Sequence, residues 1–311
     1  MAMPNFFIVG KPKAGTTSLH SMLSHHPDIF MSPVKEPHHF HRDYIEEAEQ
    51  RHRGNFSLPY KDRKQYLKLF ECAKNERIVG ESSTGYIYSK KAAKEIADFN
   101  PDAKILVIFR EPVSFLYSLH SQFLRSGVEI ENSFKKALLL EKQRRSGISL
   151  PEKTSFTKNL LYSEQTKYCE QLERFNRVFC QSQIKVKIYE DFREDYVSFY
   201  RDILDFLGVN TDFLPELVRN NPHKNVRFVK VANWLIYHGE RKKNNIVRLF
   251  PDFITQITRP ILSRLFFKAS RRNPIDPELR MELMQKFKSE VVNFSETIGT
   301  DLVKKWGYDN I

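Results

Sequence analysis

VGKPKAGTTSLHSMLSHHPD, which occupies residues 9–28, has the pattern of a sharp turn between a strand and a helix. A short apolar run at 6–9 predicts the strand, and apolar residues at helical spacing follow the turn. Gly10 and Gly15 keep the spacing of a Walker A loop, G-x-x-x-x-G-K-[ST], but a threonine takes the place of its lysine. The lysine lies inside the loop instead, as Lys13. The pattern predicts a phosphate-binding loop that differs from the loop of an NTPase.

Strand and helix alternate along much of the remaining chain. Further strands are expected at 29–31, 78–80, 104–109 and 184–189. The run at 104–109, KILVIF, is apolar throughout, as in a parallel sheet that is covered on both faces. Helices are expected at 16–25, 112–124, 160–175 and 195–207. The alternation predicts an α/β fold with a mostly parallel central sheet and helices on both faces, in which ligands bind at the carboxyl ends of the strands.

A single domain is expected for residues 1–311. Two polar stretches, near 41–75 and 126–158, are interpreted as insertions, and 219–311 as a basic, partly helical C-terminal region. No apolar run approaches the roughly 20 residues that a membrane-spanning helix needs. No secretory signal precedes the first strand, so a cytoplasmic protein is expected.

Positive charge is concentrated in the C-terminal third of the chain. Between 219 and 272 there are thirteen Lys or Arg residues and two acidic ones, in a chain whose net charge is +12. Such a region attracts polyanions, and nucleic acid, anionic lipid, an acidic glycan or a multiply charged cofactor all fit. A solvated basic surface fits equally well. Amphipathic patterning at 241–272 adds peripheral contact with a membrane as an alternative to packing on the core.

The turn and the helix after it offer hydroxyl groups and backbone amides to an anion. The residues concerned are Ala14, Gly15, Thr16, Thr17 and Ser18. The positive end of the helix dipole favours negative charge at this place, although threonines here are also ordinary helix caps. Without the Walker lysine the loop is poorly equipped for a triphosphate with magnesium. Lys13 is placed to neutralise the charge that grows on a departing 5′-phosphate.

Two segments together resemble a known family. FFIVGKPKAGTTSLHSMLSHHPDIFMSPVKEPHHF, at 6–40, resembles the 5′-phosphosulfate-binding segment of sulfotransferases that use 3′-phosphoadenosine-5′-phosphosulfate (PAPS). The likeness is greatest to bacterial members and to the heparan sulfate branch. KILVIFREPVSFLYSLHSQF, at 104–123, resembles the strand and helix with which this family binds the 3′-phosphate. The resemblance implies a P-loop-like sulfotransferase fold, and the likeness to bacterial members implies a bacterial protein.

The resemblance also implies a set of donor-binding residues. The 5′ end of the nucleotide falls to Lys13, Ala14, Gly15, Thr16, Thr17 and Ser18. Arg110 and Ser118 correspond to the residues that bind the 3′-phosphate, and a guanidinium suits a phosphate monoester. Taken alone, Arg110 is equally explained as the partner of a carboxylate. SRRNPIDPELRMEL, at 270–283, is similar to the basic loop that closes over the 3′-phosphate, which gives the same role to Arg271 and Arg272.

The motif KEPHHF supplies candidate catalytic groups. In the heparan sulfate branch a Glu two residues before a His acts as the base, and Glu36 and His38 match that order. The resemblance implies that Glu36 is the general base, that His38 assists or orients it, and that Lys13 shields the leaving group. Taken alone, Glu36 is better explained as a surface glutamate paired with Lys35. The adjacent histidines lack the helical spacing of a zinc motif, and no metal is expected.

The implied reaction moves a sulfuryl group from PAPS to a hydroxyl of an acceptor, either a carbohydrate or a glycolipid, and leaves adenosine 3′,5′-bisphosphate. GESSTGYIYS, at 80–89, aligns with a family segment that lines the acceptor cleft, which places Glu81, Ser83 and Tyr86 near the acceptor or the active site. The sequence sets neither the acceptor nor the oligomeric state. It also leaves open whether 219–272 serves the cofactor, the acceptor or a membrane.

Two alternatives come from other classes of protein. A P-loop small-molecule kinase is favoured by the acidic pair Glu190 and Asp191 at a strand end, and is opposed by the missing Walker lysine. A nucleic-acid-binding protein could use the basic region 219–272. It is opposed by the lack of any recognisable reading motif, so no nucleic-acid partner is expected.

Overall fold

A computed structural model describes residues 2–52, 58–152, 154–215 and 273–311, together with the strand backbones at 224–226 and 267–269. Arg271, Arg272 and nearly all of the basic region lie outside these residues. The expected membrane contact through 241–272 lies outside them as well. The single-domain organisation over 1–311, with its insertions and basic C-terminal region, stays a prediction. No helix in the described part is both long and apolar enough to cross a membrane.

The core of the fold is a five-stranded sheet in which all the pairings are parallel. Its strands are β1 (Phe6–Ile8), β2 (Ile29–Met31), β3 (Ile78–Ser82), β4 (Lys104–Phe109) and β5 (Ile184–Ile188). Their order across the sheet is β2-β3-β1-β4-β5. The carboxyl ends of the strands therefore lie at one edge, and the loops after β1, β2, β3 and β4 are neighbours there.

Helices follow most of the strands. The described α-helices are α1 (Thr16–Leu23), α2 (Arg42–Arg51), α3 (Arg63–Lys68), α4 (Ala92–Phe99), α5 (Pro112–Ser126), α6 (Phe134–Leu139), α7 (Glu141–Arg145), α8 (Tyr162–Gln165), α9 (Tyr168–Asn176), α10 (Tyr189–Glu194), α11 (Tyr196–Leu207), α12 (Pro277–Ile298) and α13 (Leu302–Lys305). Short 3-10 helices are found at Pro59–Lys61, Thr84–Tyr88, Thr157–Leu160 and Gln181–Gln183. An antiparallel pair, β6 (Lys224–Val226) and β7 (Phe267–Ala269), forms a separate small sheet.

The helices cover both faces of the central sheet. On one face, Phe7, Val9 and the odd-numbered residues of β4 pack against buried residues of α4, α5, α9 and α12. On the other face, Phe6, Ile8 and the even-numbered residues Leu106 and Ile108 pack against α1 and α11. This two-sided burial explains why KILVIF is apolar throughout rather than alternating. The predicted α/β architecture is confirmed.

The helix expected at 160–175 is wrong as a single element. The chain forms a 3-10 turn at Thr157–Leu160 and then two short helices, α8 and α9. In a continuous helix the carbonyl of Gln165 would accept a hydrogen bond from the amide of Cys169. Instead, the ammonium of Lys11 donates to that carbonyl at 2.8 Å, and the amide of Cys169 donates to the Glu290 carboxylate at 2.9 Å. Tertiary partners therefore replace the helical bond and break the helix.

Candidate active site

The phosphate loop, residues 10–15, joins β1 to α1 at the carboxyl edge of the sheet. A Cβ on Gly10 would lie 2.4 Å from the backbone nitrogen of Ile108, so only glycine allows the loop to pass this close to β4. Gly15 has a φ of 78° and is the N-cap of α1, where it has no side chain to cap the helix. The first turn of α1, Thr16, Thr17 and Ser18, therefore faces the loop with amides that the capping residue does not bind.

Lys13 and Arg110, which the sequence placed at opposite ends of a nucleotide, are in direct contact. Nη1 of Arg110 donates a hydrogen bond to the backbone carbonyl of Lys13 at 2.7 Å. Lys13 has a φ of 67°, a strained value for a residue with a side chain, and this bond helps to hold it. Arg110 thus hydrogen-bonds to a backbone carbonyl rather than to the carboxylate that was the alternative.

The guanidinium of Arg110 has an N–H group that could donate a hydrogen bond to a ligand. Its carbon lies 4.8 Å from the ring centroid of Tyr189, and the Arg110 carbonyl accepts a hydrogen bond from the Tyr168 hydroxyl at 2.8 Å. Its Nε is buried and has no hydrogen-bond partner among the described residues. An unpaired buried donor of this kind fits an anion such as a phosphate. Ser118, eight residues further on in α5, is buried within that helix.

The Glu36 loop, residues 35–40, follows β2 and has unusual backbone angles. Glu36 has a φ of 59° and His38 a φ of 57°, both in the left-handed region that non-glycine residues rarely adopt. Three of the four described non-glycine residues with positive φ are thus the three candidate catalytic residues, Lys13, Glu36 and His38. Backbone strain of this kind concentrates at functional sites.

The carboxylate of Glu36 is fixed by several hydrogen bonds. It accepts from the Thr84 amide at 2.8 Å, from the Thr84 hydroxyl at 2.9 Å and from the Lys35 ammonium at 2.7 Å. Nε2 of His38 lies 4.0 Å from it. The pairing with Lys35 is therefore real, but the bonds from Thr84 give Glu36 one defined orientation, which a surface ion pair would not require.

The charge state of Glu36 suits a proton acceptor. Burial raises the pKa of its carboxyl, but the charges of Lys35 and His38 and the hydrogen bonds from Lys35 and Thr84 outweigh burial, so the pKa lies below its usual range. Burial lowers the pKa of His38, which favours the neutral imidazole. At neutral pH the site therefore presents an ionised carboxylate beside a neutral ring.

The histidines near Glu36 have different surroundings. His39 stacks on Tyr66 with ring centroids 4.2 Å apart, and its Nδ1 lies 2.7 Å from the Tyr60 carbonyl. The ring centroids of His38 and His41 are 6.0 Å apart. Within the described residues, no group of three or more His, Cys, Asp or Glu side chains is arranged to hold a metal ion.

A buried lysine and a partly buried histidine near the loops were missed by the sequence reasoning. Lys11 is fully buried, donates to the side-chain oxygen of Gln171, and lies 4.5 Å and 4.6 Å from the ring centroids of Tyr88 and Tyr168. Burial, reinforced by a nearby arginine, lowers its pKa well below the usual value. His20 lies 2.8 Å from the hydroxyl of Ser82, and burial lowers its pKa to about 4. A lysine beside a Gly and a Pro normally indicates an exposed turn, so no sequence signal marked Lys11.

Glu81, Ser83 and Tyr86 are fully buried. They therefore do not line an open acceptor cleft. They lie beneath the Glu36 loop and hydrogen-bond to it or to one another.

The fold and the site define a class of protein. A parallel sheet with a phosphate loop after its first strand, an arginine after β4 and a fixed, ionised carboxylate on the loop after β2, all at the same edge of the sheet, is the arrangement of a nucleotide-dependent group-transfer enzyme. Comparison with known families makes the class more specific. Residues 3–244 match the family described as "Sulfotransferase domain". Because this match covers more than half of the sequence, the chain belongs to that family.

Similar proteins agree with this assignment. Carbohydrate sulfotransferase 15 of Rattus norvegicus is 29% identical over an alignment of 169 residues, gaps included, that covers 43% of this chain and 30% of that protein. Heparan sulfate glucosamine 3-O-sulfotransferase 3B1 of Mus musculus is 27% identical over 207 residues, which are 67% of this chain and 46% of that protein. The chain thus matches less than half the length of either curated relative.

A solved structure covers almost the whole chain. The crystal structure of a sulfotransferase from Alicyclobacillus acidocaldarius is 28% identical, with a TM-score of 0.70 and coverage of 98% of this chain and 99% of that one. The expected sulfotransferase family and fold are confirmed.

Proposed function

We propose that this protein transfers a sulfuryl group from PAPS to a hydroxyl group of a carbohydrate or glycolipid acceptor. The observation that carries the proposal is the ionised carboxylate of Glu36, fixed by Thr84 at the strand edge where the phosphate loop also lies. The names of the curated relatives, a carbohydrate sulfotransferase and a heparan sulfate glucosamine sulfotransferase, support a carbohydrate acceptor.

We assign the binding of PAPS to two groups of residues, which meet at the contact between Lys13 and Arg110. The amides and hydroxyls from Ala14 to Ser18 would hold the 5′-phosphosulfate, where the dipole of α1 favours negative charge. Arg110, with its unpaired Nε, would hold the 3′-phosphate. Ser118 is assigned to the same phosphate by resemblance, as are the two arginines at 271 and 272, which lie outside the described residues.

The proposed step is an in-line displacement at sulfur. The donor supplies an activated sulfuryl group, whose bond to the 5′-phosphate oxygen breaks as the bond to the acceptor oxygen forms. Glu36 takes the proton of the acceptor hydroxyl, and its lowered pKa keeps it ionised to do so. Lys13 neutralises the negative charge that develops on the departing bisphosphate. His38, half-buried beside Glu36, would orient the carboxylate or the acceptor.

The kinase alternative loses support from the contacts of its acidic pair. Glu190 accepts a hydrogen bond from the Trp306 indole at 3.1 Å, and Asp191 forms an ion pair with Lys305. Both carboxylates therefore have partners in the C-terminal segment. The nucleic-acid alternative depends on the basic region, which lies outside the described residues.

Calorimetry and a labelled-donor assay test the proposal. Adenosine 3′,5′-bisphosphate should bind, and ATP should bind far more weakly. Turnover with sulfur-labelled PAPS and a panel of carbohydrate hydroxyl acceptors should persist in EDTA, whereas a magnesium-dependent kinase would stop. Arg110→Ala should abolish bisphosphate binding, while Arg177→Ala, which removes an exposed arginine whose ion-pair partner among the described residues is Glu173, is the matched control. Tight ATP binding without bisphosphate binding would refute the proposal.

A further inference from the structure

Glu81, at the carboxyl end of β3, is a fully buried carboxylate that three hydroxyl groups surround. Its Oε1 accepts hydrogen bonds from Tyr66 at 2.9 Å and from Tyr86 at 2.8 Å. Its Oε2 accepts from Ser83 at 2.7 Å. The reaction proposed above assigns no role to this group.

Two of the three hydroxyls also accept a backbone amide of the Glu36 loop. The oxygen of Ser83 accepts the amide of His38 at 3.2 Å, and the oxygen of Tyr86 accepts the amide of Phe40 at 3.3 Å. Glu81 is therefore linked through one hydroxyl to each of two amides in the loop.

The third hydroxyl is that of Tyr66, whose ring packs on His39, the residue between His38 and Phe40. Tyr66 donates to Glu81 and stacks on His39 with an angle of 5° between the ring planes. The one carboxylate thus reaches the consecutive residues 38, 39 and 40 through three different side chains. This is the part of the chain whose backbone must be held against the strain at Glu36 and His38.

A carboxylate is the group that this arrangement requires. A hydroxyl group carries one proton. The hydroxyl oxygens of Ser83 and Tyr86 accept hydrogen bonds from the loop amides, so each hydroxyl proton must be donated to another acceptor. An ionised carboxylate only accepts, and it fixes both protons in that direction. A protonated carboxyl or an amide would present a donor of its own and leave one hydroxyl proton without its acceptor.

We infer that Glu81 is a positioning residue for sulfuryl transfer: through Ser83, Tyr66 and Tyr86 it sets the conformation of the Glu36 loop and so the direction from which the Glu36 carboxylate meets the acceptor hydroxyl. This inference rests on the proposed role of Glu36 as the general base. It assigns Glu81 no contact with donor or acceptor, so donor binding through the phosphate loop should not depend on it.

The pH dependence of kcat distinguishes a positioning role of Glu81 from a purely structural one, because it reports the protonation of the Glu81 carboxyl. The titratable groups that face it are Tyr66 on α3, Tyr86 on the 3-10 helix after β3, and Glu36 on the loop, with His39 behind Tyr66. Burial, with a smaller contribution from the charge of Glu36, raises the pKa of Glu81 to about 7 against the hydrogen bonds from its three hydroxyl partners. The low-pH limb of kcat should therefore lie near pH 7 in the wild type and be lost from that range in Glu81→Gln.

The test compares single variants that remove one part of the network at a time. Glu81→Gln should lower kcat by about 100-fold, the size expected when a catalytic group is displaced by roughly 1 Å. Ser83→Ala and Tyr86→Phe should each lower kcat by a smaller factor. Calorimetric affinity for adenosine 3′,5′-bisphosphate should stay within about twofold in all three, because the phosphate loop is not changed.

Tyr162→Phe is a matched control for Tyr86→Phe. The Tyr162 hydroxyl likewise donates to a fully buried carboxylate, that of Glu129, at 3.1 Å, and Tyr162 is fully buried. It belongs to α8, outside the Glu36 loop. Its loss should lower the melting temperature about as much as Tyr86→Phe and leave kcat unchanged.

The outcomes separate this inference from the proposed function. If the wild type fails to transfer sulfur from PAPS, or if Glu36→Gln is as active as the wild type, the proposed function is wrong. If the wild type is active and Glu36→Gln is not, but Glu81→Gln, Ser83→Ala and Tyr86→Phe all keep full kcat, the positioning role of Glu81 is overturned. Should Glu81→Gln fail to fold, a kcat of Ser83→Ala and Tyr86→Phe no lower than that of Tyr162→Phe would overturn it equally.

Discussion

Glu81 and Glu129 are two fully buried carboxylates of the same protein whose pKa values move in opposite directions. Glu129 forms two hydrogen bonds of 2.7 Å with the buried guanidinium of Arg144, and this partner outweighs burial and lowers its pKa. In the part of the chain that the structure describes, Glu81 has three neutral hydroxyl groups as hydrogen-bond partners, and burial raises its pKa to about 7. The partner, rather than the depth of burial, decides whether such a carboxylate can titrate near neutral pH.

The two carboxylates also lie in regions with different tasks. Glu129 lies in the segment after α5 and pairs with Arg144 of α7. Both residues are distant in sequence from the phosphate loop and the Glu36 loop. Glu81 lies directly beneath the Glu36 loop. We therefore expect changes around Glu129 to affect the free energy of unfolding, and changes around Glu36 and Glu81 to affect turnover.

The largest effect on turnover is expected for a substitution of Glu36, the proposed general base. Glu36→Gln should lower kcat by about 10²–10⁴-fold, the usual contribution of a general base, with little change in melting temperature. Steady-state kinetics with labelled PAPS measures it. Glu46→Gln, which removes an exposed glutamate paired with Lys91, is the control and should match the wild type. A kcat for Glu36→Gln within a few-fold of the wild type would contradict the prediction.

The counterpart on the structural side is Arg144→Met. It leaves the buried charge of Glu129 without its cation and should cost about 3–5 kcal/mol in the free energy of unfolding. Urea denaturation measures this cost. The kcat of the folded fraction should be unchanged, since the pair contacts neither candidate loop. A large loss of kcat at unchanged stability would erase the distinction between the two regions.

The pH dependence of stability distinguishes the two carboxylates directly. The folded-state pKa of Glu81, about 7, lies above its usual value of 4.5, so its contribution to stability is complete below about pH 4.5 and is lost as pH rises through 7. At about 1.4 kcal/mol per pKa unit, the loss amounts to about 3 kcal/mol. Glu129 has the opposite sign: its contribution is present above its unfolded-state pKa and is lost on acidification.

Denaturation of Glu81→Gln between pH 4.5 and 8 checks this sign. The variant should lose most of the fall in stability that the wild type shows across the range. Glu164→Gln, which removes a partly exposed glutamate with a lowered pKa, should keep the wild-type slope. An identical slope in Glu81→Gln and the wild type would show that Glu81 does not titrate there.

The smallest effect is expected for Arg145→Met, one residue from Arg144. Its side chain is 46% exposed and pairs with Glu141 and Glu164, both at 2.8 Å. Exposed ion pairs contribute less than about 1 kcal/mol, so urea denaturation should detect little change. A loss as large as that of Arg144→Met would mean that burial does not separate the two arginines.

Much of the fold could be predicted from the sequence because its strands are buried on both faces. KILVIF at 104–109 matches β4 residue for residue, and Pro112 begins α5 as expected. The single helix expected at 160–175 could not be corrected in advance, because its break depends on partners at Lys11 and Glu290, distant in sequence. Local propensity does not contain such contacts.

The candidate site was predicted unevenly. Lys13, Glu36 and Arg110 were found because the segments that contain them resemble those of a known family, and the structure holds all three in defined positions. The roles assigned to them stay predictions. The buried position of Glu81 was missed, since a Glu followed by two Ser residues normally indicates an exposed turn. Only the three-dimensional packing of hydroxyls around it reveals a buried acceptor.

The bond between Arg110 and the Lys13 carbonyl makes the two residues unequal. The acceptor is part of the main chain, so every amino acid at position 13 supplies it, and exchanging the lysine side chain leaves the link intact. Exchanging the arginine removes that link together with the guanidinium that awaits a ligand. Substitutions at position 13 should therefore preserve the shape of the phosphate loop. Substitutions at position 110 should alter both the shape of that loop and the charge beside it.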